Sequence, residues 1–465
     1  MLRSTPVHPV SPRRSRVSAQ RRLTVAAALV VSALATVAPA QAQDEPFPGV
    51  ALGLAYDVVS APGLAIQPFE GRFGGQAIAR SVEAIIGRDL RYSDRFTVVD
   101  SLPQALGGDG VDYGIWDRLG AIYLVRGRVE GAGEGFVLVL ELHDVAYTRL
   151  AHEARFDLPA TTDPDFRMAV HRVSDTLVEW TFGEPGMAAS RIAFSMMRDD
   201  GNREIYVVDS DGENLRRITN HQDIAVSPAW SPDGSRLAYM TYAPLQRVFE
   251  ANLAGGEPRM IDPGREGNYL TPSYHPDGQQ LIFAVQGINN RSGLFTWDVR
   301  RNCCMASLTE GRFFDVSPVY SPDGGRVVFN SSRLGSATPQ IYVMDADGGD
   351  PTILSPYEYG AAGYYNAPDW SPYGDLVAFH GRVGRSGAYH ILVARMGERG
   401  RLTRLTSEGN NEDPAWAPDG RHIVFVGERN WGKGLFVVDS ATGAIRPILR
   451  GVDVGEPDWS PSVRR

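Results

Sequence analysis

The 465-residue chain is poor in cysteine, in lysine and in long apolar runs. Its two cysteines, Cys303 and Cys304, are neighbours, which excludes a scaffold of separated disulfides and a paired CxxC metal site. Neighbours in one extended strand point to opposite faces, so two ordinary strand residues are expected, with a vicinal disulfide as the alternative. Lysine occurs once, at Lys433, and no single surface function would exclude it everywhere else, so codon bias is the reading. Acids outnumber bases by 55 to 46, a net charge of −9. Six arginines and no acid fall in residues 1–42, so the rest carries −15. A body that acidic argues against binding nucleic acid. Past residue 42 no stretch is apolar enough to span a bilayer. No Gly-x-Ser-x-Gly elbow is present, and His152-Glu153 lacks the second histidine of a zincin helix. His380 and His390 flank one loop and are the nearest thing to a histidine pair, for which surface or packing roles are expected.

Residues 1–22 are basic and polar, Leu23 to Ala38 is a small-apolar run, and two Ala-x-Ala triplets end at Ala42. Basic region, apolar region and small-residue site describe a cleaved export signal. No cysteine follows the cleavage site to carry a lipid anchor.

What is abundant is glycine and proline, 50 and 31 residues, and much of it recurs. Ser227-Pro-Ala-Trp-Ser-Pro-Asp-Gly234 returns, varied, at 271–278, 317–324, 367–374 and 413–420, and is cut short at 456–461. The first prolines step by 44, 46, 50, 46 and 43 residues, the period of four-stranded propeller blades. Ser-Pro-Asp-Gly suits a type I turn, and the preceding aromatic suits the gap between blades. Short strands follow each turn, such as Arg236 to Tyr239 and Arg326 to Phe329. Strands of the Ile-Ala-Phe type occur six times; the first, at Arg191 to Phe194, has no motif before it, and the last motif has no strand after it. One orphan at each end predicts that the C-terminal strand completes the first blade, closing six blades into a ring without free edges.

Residues 43–183 read differently. Leu64 to Phe69 is strand-like, and Ile78, Val82, Ile85, Ile86 and Leu90 have helical spacing. Phe96 to Val99, a short helix at Tyr113 to Leu119, a hairpin at 121–129 and 135–145, and a helix marked by Phe166, Val170, Val173 and Leu177 complete a small α/β domain. Gly183-Glu184-Pro185-Gly186 is the expected hinge. The expected division is a signal peptide at 1–42, the α/β domain at 43–183 and the all-β six-bladed propeller at 184–465.

In order and motif the chain resembles the TolB family of periplasmic Tol–Pal propellers. Beyond the repeat, the likeness rests on Ile66 to Phe69, Ile85 to Phe96 and Trp116 to Ala121. It implies a non-enzymatic periplasmic monomer that binds a Pal-like lipoprotein and supports outer-membrane integrity and invagination during division. It also implies a TolA-like inner-membrane partner, although Asp44 to Gly49 departs from the short β-prone segment by which the family engages it. No cofactor is implied. Asp209-Ser-Asp-Gly212 and Asp345-Ala-Asp-Gly348 resemble the start of calcium loops but lack the distant glutamate, so turn chemistry explains them, with calcium in the propeller channel as a minor alternative.

Propellers dock partners where loops enter the innermost strands. Matching positions point to Asn268, Thr271 and Val316, and the acids and Tyr-Tyr-Asn cluster of the same loops add Asp315, Tyr365, Asn366, Glu412 and Asp413. These are expected to be exposed loop residues. Two other classes stand against the adaptor: an exported propeller hydrolase or lyase using channel acids, and a ligand-sensing propeller.

Overall fold

The computed structural model describes residues 51–53 (backbone only) and 61–463, apart from 100–109, 243–244, 288, 290, 336–337, 358–362, 383–386 and 399. The expected signal peptide and the segment at 44–49 lie outside the described residues.

The propeller has six four-stranded blades. Blade 1 comprises Arg191–Met197, Arg203–Asp209 and Arg216–Arg217, with Val454–Trp459 as its innermost strand. Blades 2 to 6 begin with inner strands Ala225–Trp230, Asn268–Tyr274, Asp315–Tyr320, Tyr364–Trp370 and Asn411–Trp416. Val454 pairs with Met196 and Trp459 with Ile192, antiparallel, so the ring closes through the C-terminus as the repeat count predicts. Ala51–Gly53 adds a parallel strand to the outer edge of blade 5, against Arg401–Arg404.

The repeat motif builds the ring twice over. In the turn of blade 2, Gly234 N–H donates to Ser231 O at 2.8 Å, and the Ser231 hydroxyl, bonded to Asp233, accepts from Arg236 N–H. The aromatic before each turn packs back on the preceding blade. Trp230 lies among Ile205 and Val207, Tyr274 against Val248, Tyr320 against Ala284, Trp370 against Ile341, Trp416 against Val393, and Trp459 against Val437. Each buried indole or phenol thus joins two sheets that have no ladder between them.

The α/β domain has a mixed sheet in the order Thr97–Val98, Gly63–Ile66, Tyr123–Ala132, Gly135–Asp144, Arg149–Leu158. Helices α1 (Gln76–Tyr92) and α3 (Phe166–Phe182) cover one face around Leu64, Val125, Leu138 and Leu140. Helix α2 (Tyr113–Arg118) covers part of the other, with Trp116 on Ala65 and Leu124. Strand alternation explains why Leu64 and Ala65, or Val125 and Leu124, serve opposite faces. The strand Arg149–Leu158 is an addition to the sequence reading: it is a charge-rich edge strand and lacks an alternating apolar signal.

Gly183 ends α3 at φ 69°, the left-handed conformation that glycine takes most readily. Gly186 then passes so close to Asp175 that a Cβ would collide with its carboxylate, which accepts from Ala188 and Ala189 N–H. The linker therefore delivers the chain to blade 1 along a fixed path.

The two cysteines are joined as a vicinal disulfide on the outer strand of blade 3, Cys303–Ser307, with Cys304 exposed at φ 70°. The alternative, not the expected pair of ordinary strand residues, is what the fold contains. His380 and His390 lie on neighbouring strands, one register position apart, and His380 Nδ1 accepts from Asp413 N–H at 3.0 Å.

Candidate functional site

The six inner strands surround a channel of about 900 Å³. Each inner strand slips register at the same place, for example between Val226 and Ala229 and between Glu412 and Ala415. The residue before each motif proline, Ser227, Thr271, Ser317, Ala367, Asp413 or Glu456, has φ between 45° and 52°. A bulge leaves one residue outside the ladder, and a following proline has no N–H to lose there. Left-handed backbone at a non-glycine residue costs about 1–2 kcal/mol, so the bulge needs support.

Support comes across the blade junctions. Glu456 of blade 1 accepts from Ser227 N–H, Thr271 of blade 3 from Ser317 N–H, and Asp413 of blade 6 from Glu456 N–H. Asn330 of blade 4 serves Ala367, and His380 of blade 5 serves Asp413. In five of six junctions a side chain of one blade thus holds the bulge of the next. Asp458 and Asp369 make a second tier, accepting from Trp230 and Trp416 N–H at 2.6 Å.

These acids form the electrostatic character of the channel. Burial pushes the Asp458 carboxyl up to about 8, helped by the charge of Asp369, which burial raises to about 7. Burial and neighbouring Asp413 raise Glu456 to about 7, and burial raises Asp413. Each keeps part of its surface open to the channel, whose water tempers the effect. Removing His380 from water lowers its imidazole to about 4, consistent with its acceptor role.

Of the residues expected to bind a partner, Thr271, Val316, Asn366 and Asp413 line the channel. Asn268 and Glu412 stand half-buried at the starts of their inner strands, away from the wall. The expectation of exposed loop residues is corrected: all eight lie in inner strands, six half-buried and two buried. Asp315 is not an exposed loop residue: it is 1 % exposed, 3.3 Å from Arg333, whose guanidinium lies over Phe313, Phe329 and Tyr342. Tyr365 is also buried, edge-on to Phe379. Asp315 is the first and Tyr365 the second residue of an inner strand whose alternation turns it into the blade. Sequence reasoning missed Asp369, Glu456 and Asp458, although their place in the motif, beside the proline, was a usable signal.

The first calcium-like turn is otherwise engaged, and in the second Asp347 accepts from Gly349 N–H of its own turn. Asp209 accepts from Arg191 and Asn214, and Asp211 from Arg167 and Arg88 of the α/β domain.

Chain direction places the starts of all inner strands, and the loops joining second to third strands, on one face. Exposed Tyr242, Leu245, Leu334 and Trp431 belong to those loops, and exposed Phe313 precedes the inner strand of blade 4 on the same face. The α/β domain packs on the opposite face, against the turn at 209–214 of blade 1 and residues 419–422 and 446 of blade 6. The mouth is therefore clear of it.

Residues 178–463 match the TolB beta propeller domain, and residues 55–150 match the TolB amino-terminal domain. The chain belongs to the TolB family. The Tol-Pal system protein TolB of Bordetella pertussis is 28 % identical over 394 residues, covering 83 % of this chain and 85 % of that protein. The Bordetella bronchiseptica protein of the same name matches equally. The crystal structure of TolB from Acinetobacter baumannii, 24 % identical, superposes with a TM-score of 0.74 over 89 % of this chain and 99 % of that one, and shows the same fold. Among the described residues no helix of this TolB family member is long and apolar enough to cross a membrane.

Proposed function

We propose that the chain is a non-enzymatic periplasmic adaptor of the Tol–Pal system, exported by a cleaved signal peptide, that receives a Pal-like lipoprotein at the channel mouth. In that role it supports outer-membrane integrity and invagination at division. The observation that carries this reading is the mouth itself. It is a wide channel with Thr271, Val316, Asn366 and Asp413 in its wall, surrounded by exposed apolar loops and unobstructed by the second domain. Apolar anchors ringed by polar groups are what a protein partner needs to bind. The names of the Bordetella relatives supply the system.

The channel acids fit a structural role better than a hydrolase or lyase. Asp369 and Asp458 each hold a tryptophan N–H of the next blade, and Asp413 and Glu456 each hold a bulge. No step of docking needs a cofactor; a calcium ion in the channel would be a further guest of these acids. A TolA-like inner-membrane protein is the second partner that the Tol–Pal reading brings, but not through 44–49, whose sequence departs from the family's segment for that contact.

The test is calorimetric titration of the processed chain with the soluble domain of the same organism's Pal-like lipoprotein. Leu245→Glu combined with Leu334→Glu should weaken binding at least about 10-fold, since buried anchors are worth 1–2 kcal/mol or more, with the melting temperature unchanged. Binding by the double variant equal to wild type would move the interface off the mouth.

A further inference from the structure

Two fully buried histidines sit where the α/β domain meets the propeller, and partner docking uses neither. His422, at the base of blade 6, has both ring nitrogens on carboxylates: Nδ1 is 2.6 Å from Asp419 of its own turn, and Nε2 is 3.2 Å from Asp94, just beyond α1. His171, on α3, sits on the other side of the junction, with Nε2 buried and without a hydrogen-bond partner among the described residues. Its Nδ1 is 2.8 Å from Asp89 of α1, and the ring lies within a cluster with Asp89 and Asp211 of blade 1 whose polar atoms are all within 4.8 Å. His422 is thus held between an acid of each domain, while His171 is bonded to an acid of its own domain with an acid of the other close by.

A neutral imidazole has one N–H, so it cannot donate to Asp419 and Asp94 together; an imidazolium can. The neighbours agree on charge. Facing His422 are Asp94 and Tyr92 from the end of α1, Asp419 and Arg421 from the turn, Asp439 from the third strand and Arg446 from the fourth. Three acids against two guanidiniums are balanced only by a charged ring. Facing His171 are Asp89 and Arg88 of α1, Asp175 and Arg167 of α3, and Asp209 and Asp211 of the propeller.

We propose that His422 and His171 form a proton-operated latch, which clamps the α/β domain to the propeller while both rings are charged and releases it when they lose their protons. Burial alone would depress both imidazoles, but Asp419 and Asp94 hold His422, and Asp89, Asp211 and Asp209 hold His171, above the ordinary value. The clamping contribution is therefore complete below about pH 6.5, the unperturbed histidine value, and drains as pH rises through the docked values. Separation returns the rings to water, where a lone pair costs nothing; in the docked state a neutral His422 sets a lone pair against a carboxylate.

Hydrogen exchange of the full processed chain between pH 5.5 and 8.5, corrected for the chemical rate, tests this. Protection of peptides at 85–95, 166–176 and 209–214 should fall as pH rises, by up to about 10-fold per unit for each proton released, while blade 3 stays unchanged. His422→Gln and His171→Gln should flatten the profile. Should either variant fail to fold, the proton resonances of the two rings in the wild type decide. Interface protection that does not change with pH, or rings already neutral at pH 6, would overturn the latch.

Discussion

Truncating Trp459 to alanine should open the ring at its last junction. The indole packs on Ala415, Val424, Leu435 and Val437 of blade 6 and on Ile192, Phe194 and Val208 of blade 1, and its N–H donates to Ser190 Oγ at 2.7 Å. Tryptophan truncation in such a site costs about 3–5 kcal/mol, and the lost hydrogen bond about 1 kcal/mol more. At roughly 2 °C per kcal/mol for a domain of this size, the melting temperature should drop by about 8–12 °C. Exchange should rise first in Arg191–Met197, which loses its inner neighbour, with Met260→Ala on the exposed outer strand of blade 2 as a silent control. Differential scanning calorimetry of the two variants is the assay. A Trp459→Ala protein melting within 1–2 °C of wild type would refute closure through the C-terminal strand.

Arg333→Ala should cost about 3–5 kcal/mol, because it strands the buried Asp315 carboxylate. Adding Asp315→Asn should recover much of the loss in denaturant melts. The channel acids give a pH dependence of their own. Carboxyls raised in the fold to about 7–8 contribute stability below the unfolded value near 4, and lose it as pH rises through 7–8, so melting temperature should increase from pH 8.5 to 5.5. Asp458→Asn should reduce that slope while leaving the interface exchange profile of the histidine latch in place.

The blade count, ring closure and role of each motif aromatic were legible in the sequence, because each depends on residues a fixed distance from a proline. The partners of Ser227 and Ser317 were not: Glu456 and Thr271 reach them from other blades, and only the closed ring sets those distances. Asp315 was misplaced because its neutralising Arg333 stands just past the end of the paired strand Arg326–Ser331 and folds back on it. The edge strand Arg149–Leu158 went unread because its outward charges resemble a loop. The latch was invisible as well, as Asp94 and His422 are 328 residues apart.

The claim that the mouth receives the lipoprotein is tested most directly by placing a photo-crosslinking amino acid at Val316, in the channel wall, and in parallel at Tyr147, exposed on the α/β domain. Irradiation of living cells should link the Val316 protein to a Pal-like lipoprotein and leave the Tyr147 protein free of it. Crosslinking to that lipoprotein from Tyr147 and not from Val316 would contradict the account.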